Sequence, residues 1–117
     1  MSEDADRLLT DEEIREGMRL AMAKAGRRGR VILFGGYSRG DWRTDVDIMV
    51  VVDSYRQGLL KDTSELRRCI DLGVGIALHV WPAEKFEDWK DECGTAAYEA
   101  THYGRLLFDD LERPSGG

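Results

Sequence analysis

The stretch from Phe34 to Val50, Phe-Gly-Gly-Tyr-Ser-Arg-Gly-Asp-Trp-Arg-Thr-Asp-Val-Asp-Ile-Met-Val, constrains this chain more than any other. It opens out of Val31-Ile32-Leu33-Phe34, an apolar run too compact for a helix, which predicts a buried strand running straight into a glycine turn. It ends in the segment 45–53, whose Val and Ile content predicts the strongest strand of the chain. The polar loop between the two is too short to hold a helical crossover, so the strands are expected to pair antiparallel. Asp45 and Asp47 stand at i and i+2 of the second strand and face the same side, roughly 6.8 Å apart along the chain.

Each part of this stretch has a physical use. Glycine lets a backbone come close to a ligand and frees N–H groups for phosphate oxygens, so Gly35 and Gly36 are candidate nucleotide contacts. Ser38 and Arg39 can add a hydroxyl and a charged donor. Two carboxylates on one strand face can hold Mg²⁺, a hard ion that takes oxygen ligands together with the phosphates of its substrate. That is a layout for metal-assisted attack on a nucleotide α-phosphate. Taken singly, a Gly-Gly turn is common and an acidic pair can serve only to fence a strand end. The weight comes from their joint occurrence. No Gly-Lys-Ser/Thr follows the glycines, which excludes a P-loop.

The remaining chain reads as the frame for this stretch. Thr10-Asp11-Glu12-Glu13 is a capping box, and Ile14, Met18, Ala21, Met22 and Ala25 recur at helical spacing up to Gly26, which predicts a helix over 11–25. A second helix is expected at about 62–71, a third strand over 74–81 ended by Pro82, helices over 83–92 and 95–103, and a last strand or extended segment over 104–108. The expected fold class is a small mixed α/β (α+β) domain with a palm-like sheet flanked by helices. One domain spans 1–117, with 1–9 and 111–117 expected to be flexible. A chain of 117 residues with 42% hydrophobic and 34% charged content can bury one core and no second. The longest apolar run, Ile48 to Val52, is too short to cross a bilayer, and the acidic N-terminus is the reverse of a secretory signal, so a cytoplasmic location is expected.

Seventeen basic residues against twenty-three acidic ones give a formal charge of −6, which argues against tracking duplex nucleic acid. The densest positive cluster, Arg27-Arg28-Gly29-Arg30, reads first as a solvated loop and second as a phosphate contact, with Arg39 and Arg43 nearby if the next strand returns the chain. Cys69 and Cys93 form no CxxC pair and are expected to be reduced packing residues.

On Phe34-Gly35-Gly36 and Asp45-Val46-Asp47-Ile48 the chain resembles the DNA polymerase β-like nucleotidyltransferase superfamily, in particular its minimal nucleotidyltransferase branch. The resemblance covers about residues 11–110, including Tyr103-Gly104-Arg105-Leu106-Leu107-Phe108, which looks like the family's last segment. It implies a palm-like core, a two-metal Mg²⁺ site on Asp45 and Asp47, a nucleoside triphosphate held by Gly35 and Gly36, and transfer of a nucleotidyl group to a hydroxyl. It also implies a HEPN-type helical partner in a toxin–antitoxin pair. The branch usually carries serine where Gly36 stands, so phosphate binding would lean on backbone and Ser38. The branch's usual spacer, read without a gap, makes Asp47 the first ligand and leaves Met49 in place of the second; a shortened spacer restores Asp45 and Asp47. A thioether cannot replace a carboxylate on Mg²⁺.

The family's later carboxylate, the general base, has no counterpart on the third strand, which offers only His79. Asp71, in the triplet Ile70-Asp71-Leu72 at the end of the expected helix, is the acidic candidate for that base, while His79 reads first as a satisfied core histidine and second as a base, and His102 likewise. Trp42 is a candidate for stacking on a base, and Trp81, Phe86, Trp89 and Tyr98 read as core or a partner-facing patch. Three functions stay open: a transferase moving AMP or another NMP onto a protein or small molecule, a degenerate module that neutralises a partner by contact, and a nucleotide sensor without turnover. Apolar surface on the first and third helices could support a homodimer.

Overall fold

The computed structural model describes residues 8–111. Its elements run α1 (Asp11–Ala25), β1 (Arg30–Phe34), α2 (Gly35–Ser38), β2 (Val46–Val52), α3 (Leu59–Cys69), β3 (Ile76–Pro82), α4 (Ala83–Trp89), α5 (Ala96–Tyr103) and β4 (Arg105–Asp109). The four strands form one sheet in the order β3-β2-β1-β4. β1 pairs antiparallel with β2 and with β4, while β2 and β3 run parallel across the α3 connection. This is the expected mixed α/β architecture, with the first two strands antiparallel neighbours. Among the described residues no helix is long and apolar enough to cross a membrane.

Strand alternation divides the core in two. Val31 and Leu33 of β1 and Val46, Ile48, Val50 and Val52 of β2 meet Ile14, Met18, Ala21 and Met22 of α1 and Leu66 of α3. The opposite face carries Ile32 and Phe34 with Met49 and Val51, covered by Phe86 of α4 and by Ala97 and Ala100 of α5. Because a strand turns alternate side chains to opposite faces, the parity of Met49 and Val51 puts Asp47 and Asp45 on this second face.

Several boundaries differ from expectation for identifiable reasons. The glycine turn closes as one turn of helix, with Arg39 N donating to Gly36 O (2.9 Å) and Gly40 N to Tyr37 O (3.0 Å). α3 begins at Leu59 because Gly58 stands just outside it, at φ 112°, instead of interrupting it. α4 stops at Trp89: the Thr95 hydroxyl takes up the carbonyls of Trp89 (3.1 Å) and Glu92 (2.9 Å) and then caps α5 by accepting from Tyr98 N. In β4 one extra residue is accommodated where Val31 faces Phe108 and Ile32 faces Leu106, and the Leu107 carbonyl accepts from Arg15 Nε at 2.9 Å.

Of the two stretches expected to be flexible, residues 1–7 and 112–117 lie outside those described. Leu8 and Leu9 pack against the first core cluster, and Leu111 against the second. Cys69 is half-buried as a packing residue, but Cys93 is exposed beside Gly94 and not part of either core.

Candidate active site

The site lies where β1 ends and β2 begins. The antiparallel register sets Phe34 opposite Asp47, so the glycines that follow Phe34 come alongside the Asp47 carboxylate. Gly35 has φ 84°, and a β-carbon there would fall on Asp47 Oδ2 and within 2.8 Å of Cγ. Only a residue without a side chain lets the carboxylate and the turn come this close. Asp45, just ahead of β2, is held in the same way against β3, where a β-carbon on Gly75 would lie 3.1 Å from Asp45 Cγ. Two glycines of distant segments thus make room for the two carboxylates.

Met49 does not share this role. It is fully buried among the second cluster, two residues deeper along the strand than Asp47. A core side chain with no exposed surface is no ligand, which bears against the spacer reading that puts Met49 at the metal, while Asp47 stands at the turn and Asp45 beside Gly75. Parallel pairing sets His79 beside Met49, one step along the same face from Asp47, and its Nε2 stands 3.7 Å from Asp47 Oδ1. The ring lies tilted against Phe34, with centroids 5.4 Å apart. Asp71 is instead exposed in the loop between α3 and β3, and no hydrogen bond or ion pair among those described links it to either aspartate. His102 pairs with Asp91 at 3.2 Å and stacks on Tyr98, away from the aspartates.

Around the glycine turn the sequence candidates divide. Ser38 is buried, and its hydroxyl donates to the Gly35 carbonyl at 2.7 Å, so it shapes the turn instead of presenting a free hydroxyl. Arg39 is exposed at the end of α2. Trp42 is also exposed, with the Arg43 guanidinium 6.0 Å from its ring. Sequence reasoning did not single out Thr44. Its side chain lies against Gly36, with Oγ1 3.2 Å from where a β-carbon would stand, and the hydroxyl donates to Asp41 O. A threonine directly before the aspartate pair was the signal available. Tyr37 was missed as well: it is buried, and its hydroxyl accepts from Leu9 N at 2.7 Å.

The Arg27–Arg30 cluster lies at the other end of β1, away from Arg39 and Arg43, because β1 carries the chain across the sheet before the glycine turn. Arg27 is engaged by Asp53, Asp62 and the Ser54 carbonyl, and Arg30 by Asp109. These arginines fasten loops together. A concavity of about 260 Å³ on the aspartate-bearing face is floored by Ile32, Phe86, Ala100 and Leu106 and includes neither aspartate.

Among the described residues no three His, Cys, Asp or Glu side chains converge to hold an ion unaided. Mg²⁺ seldom asks for that: it is bound by one or two carboxylates with water and substrate phosphate completing the shell. Asp45 and Asp47, both at least partly open to solvent on one face, with Asp47 against the bare backbone of the Gly35 turn, fit that mode of binding.

The model of a nucleotidyltransferase domain family matches residues 15–102. Among solved structures the chain is similar to the crystal structure of a candidate nucleotidyltransferase from Sulfolobus solfataricus, with 19% identity, a TM-score of 0.53, and coverage of 85% of this chain and 79% of that one. At that identity the likeness is one of fold. No match was found among curated proteins.

Proposed function

Since the chain belongs to the nucleotidyltransferase domain family, and nucleotidyl transfer is that family's chemistry, we propose that it moves an NMP, AMP foremost, from a nucleoside triphosphate to a hydroxyl of a protein or small molecule. The observation that carries this reading is the approach of the Asp47 carboxylate to Gly35, which brings an acidic side chain and an open backbone turn to one point. Asp45 and Asp47 would hold the divalent metal, Mg²⁺ by the hardness of their oxygens. Bound there, the metal would offset charge developing on the transferring phosphoryl group. Gly35 and Gly36 let the triphosphate approach the backbone, and Arg39, exposed next to the turn, can meet its outer oxygens.

For the proton of the attacking hydroxyl we favour His79 over Asp71, since His79 is the side chain standing beside Asp47. For the acceptor, a HEPN-type helical protein is the kind of partner the resemblance suggests.

Calorimetric titration with ATP, with and without Mg²⁺, tests the reading on the native chain and on Asp47→Asn. Magnesium-dependent binding that is lost in the variant is expected. A folded native protein that binds ATP in neither condition would refute it. One observation favours the second reading, a degenerate partner-binding module of antitoxin type: β3 carries Ala77 and His79 but no carboxylate on the aspartate-bearing face. In that case Asp47→Asn leaves complex formation intact.

A further inference from the structure

Behind the glycine turn stands a side chain to which nothing above gives a role. Arg105 opens β4, and its guanidinium grips the Asp11 carboxylate with both arms, Nε to Oδ2 at 2.8 Å and Nη2 to Oδ1 at 2.9 Å. The remaining nitrogen, Nη1, donates to the Ser38 carbonyl at 2.9 Å. One planar group therefore joins the first residue of α1, the last residue of α2 and the start of β4. The pairing is electrostatically well founded. Asp11 sits in the first turn of α1, where the helix dipole favours an anion, and its hydrogen bonds to Arg105 hold its carboxyl below the usual carboxylate range.

The link continues into the turn itself. Ser38, gripped at its carbonyl, reaches back through its hydroxyl to the Gly35 carbonyl, and Tyr37 is tied through its own hydroxyl to Leu9 N. Both side-chain-bearing residues of α2 are thus fastened to the segment 9–11. On its other side, Gly35 lies against the Asp47 carboxylate with no room to spare. A turn pressed on an aspartate from one side keeps its distance only if it is held from the other.

We propose that Arg105 is a positioning residue for nucleotide binding: through the Ser38 carbonyl it fixes the Gly35–Ser38 turn against Asp47, so that turn and aspartates meet one triphosphate together. This rests on the nucleotidyltransferase reading of the same turn. Lysine cannot take over the task, because an ammonium lacks the planar fork that serves a carboxylate and a carbonyl at once.

The test compares the native chain with Arg105→Gln, Arg105→Lys and Asp11→Asn by amide hydrogen exchange and by calorimetric titration with Mg²⁺ and ATP. Arg39, Gly40 and Asp41 donate to carbonyls within α2, so their amides report on the turn. Arg56 and Gln57 donate to Asp62 at the far end of the sheet and serve as the reference. In both Arg105 variants the three turn amides should exchange about tenfold faster or more while the reference pair is unchanged, with Asp11→Asn following in the same direction by less. ATP affinity should fall about tenfold, and Arg105→Lys should not restore it. Unchanged turn amides, or faster exchange throughout the chain, would overturn the inference. So would a loosened turn with full ATP affinity. If the native protein binds no ATP, the nucleotidyltransferase reading fails and takes the nucleotide half of this inference with it, while the exchange pattern still decides whether Arg105 orders the turn.

Discussion

Replacing Gly35 with alanine adds one methyl group at the point where the turn touches the aspartate pair, and its effect can be worked out from the structure. The backbone there has φ 84°, a conformation that costs an L-residue roughly 1–2 kcal/mol. The new β-carbon would lie 2.8 Å from Asp47 Cγ and 3.0 Å from Asp47 Cβ. Carbon atoms rest at about 3.5–4.0 Å, so the turn and the carboxylate must separate by about 1 Å. Asp47 is rooted in the buried strand β2, so the separation falls on the turn and on the carboxylate's torsion. Mg²⁺ takes its ligands at about 2.0–2.1 Å in near-octahedral geometry, so an Asp47 carboxylate about 1 Å further from phosphates held at the turn would no longer share one ion with them. Gly35→Ala should therefore lower stability by about 1–2 kcal/mol in urea denaturation and bring down magnesium-dependent ATP binding far more than that loss explains. Gly73→Ala is the control, because its backbone is similarly left-handed, at φ 74°, while its β-carbon would meet nothing within 4 Å. If Gly35→Ala binds Mg²⁺ and ATP like the native chain, the close approach of turn and aspartate is not what makes the site.

Met49→Leu should change stability by less than about 1.5 kcal/mol and leave Mg²⁺-dependent ATP binding intact, since Met49 is a fully buried core side chain; loss of binding in a well-folded Met49→Leu protein would favour the rejected spacer. Asp62→Ala should cost on the order of 3 kcal/mol in chemical denaturation, because it leaves the amides of Arg56 and Gln57 without their acceptor and the Arg27 guanidinium without its buried carboxylate, with Asp53 and the Ser54 carbonyl still on its other nitrogen. The same carboxyl predicts acid sensitivity. Burial pushes it up, but the Arg56 and Gln57 amides and Arg27 outweigh that and hold it below the usual carboxylate range. Its contribution is thus fully present above the unfolded-state value near 4 and is lost as pH falls below it, so Asp62→Ala should flatten the acid limb of a stability–pH curve.

What the sequence made legible follows from local rules. The capping box at Thr10 and Glu13 and the stop at Gly26 depend on neighbours in the chain, and α1 forms between them. The antiparallel pairing of β1 and β2 followed from loop length, and with it the meeting of glycines and aspartates. The turn's closing as helix was not legible, since it depends on Ser38 reaching back to Gly35 and on Arg105 from the far end of the chain. Nor was the choice between Asp71 and His79. The triplet around Asp71 offered an acid at the end of the helix expected over 62–71, but α3 ends at Cys69 and leaves Asp71 in the loop before β3. The nearness of His79 to Asp47 is a consequence of parallel register, which no local pattern encodes. The positive cluster at Arg27–Arg30 misled for a related reason: its partners, Asp53, Asp62 and Asp109, are remote in sequence.

The bond between Arg105 and Asp11 spans 94 positions of the chain, and β4 completes the sheet by pairing with β1. Closing so large a loop is entropically slow compared with forming α1 or the β1–β2 hairpin, both of which can precede it. During synthesis the glycine turn and the aspartates leave the ribosome long before their brace does. The nascent protein therefore passes through an interval in which both halves of the site exist but are not yet set against each other, and competence would arrive only when the last strand docks.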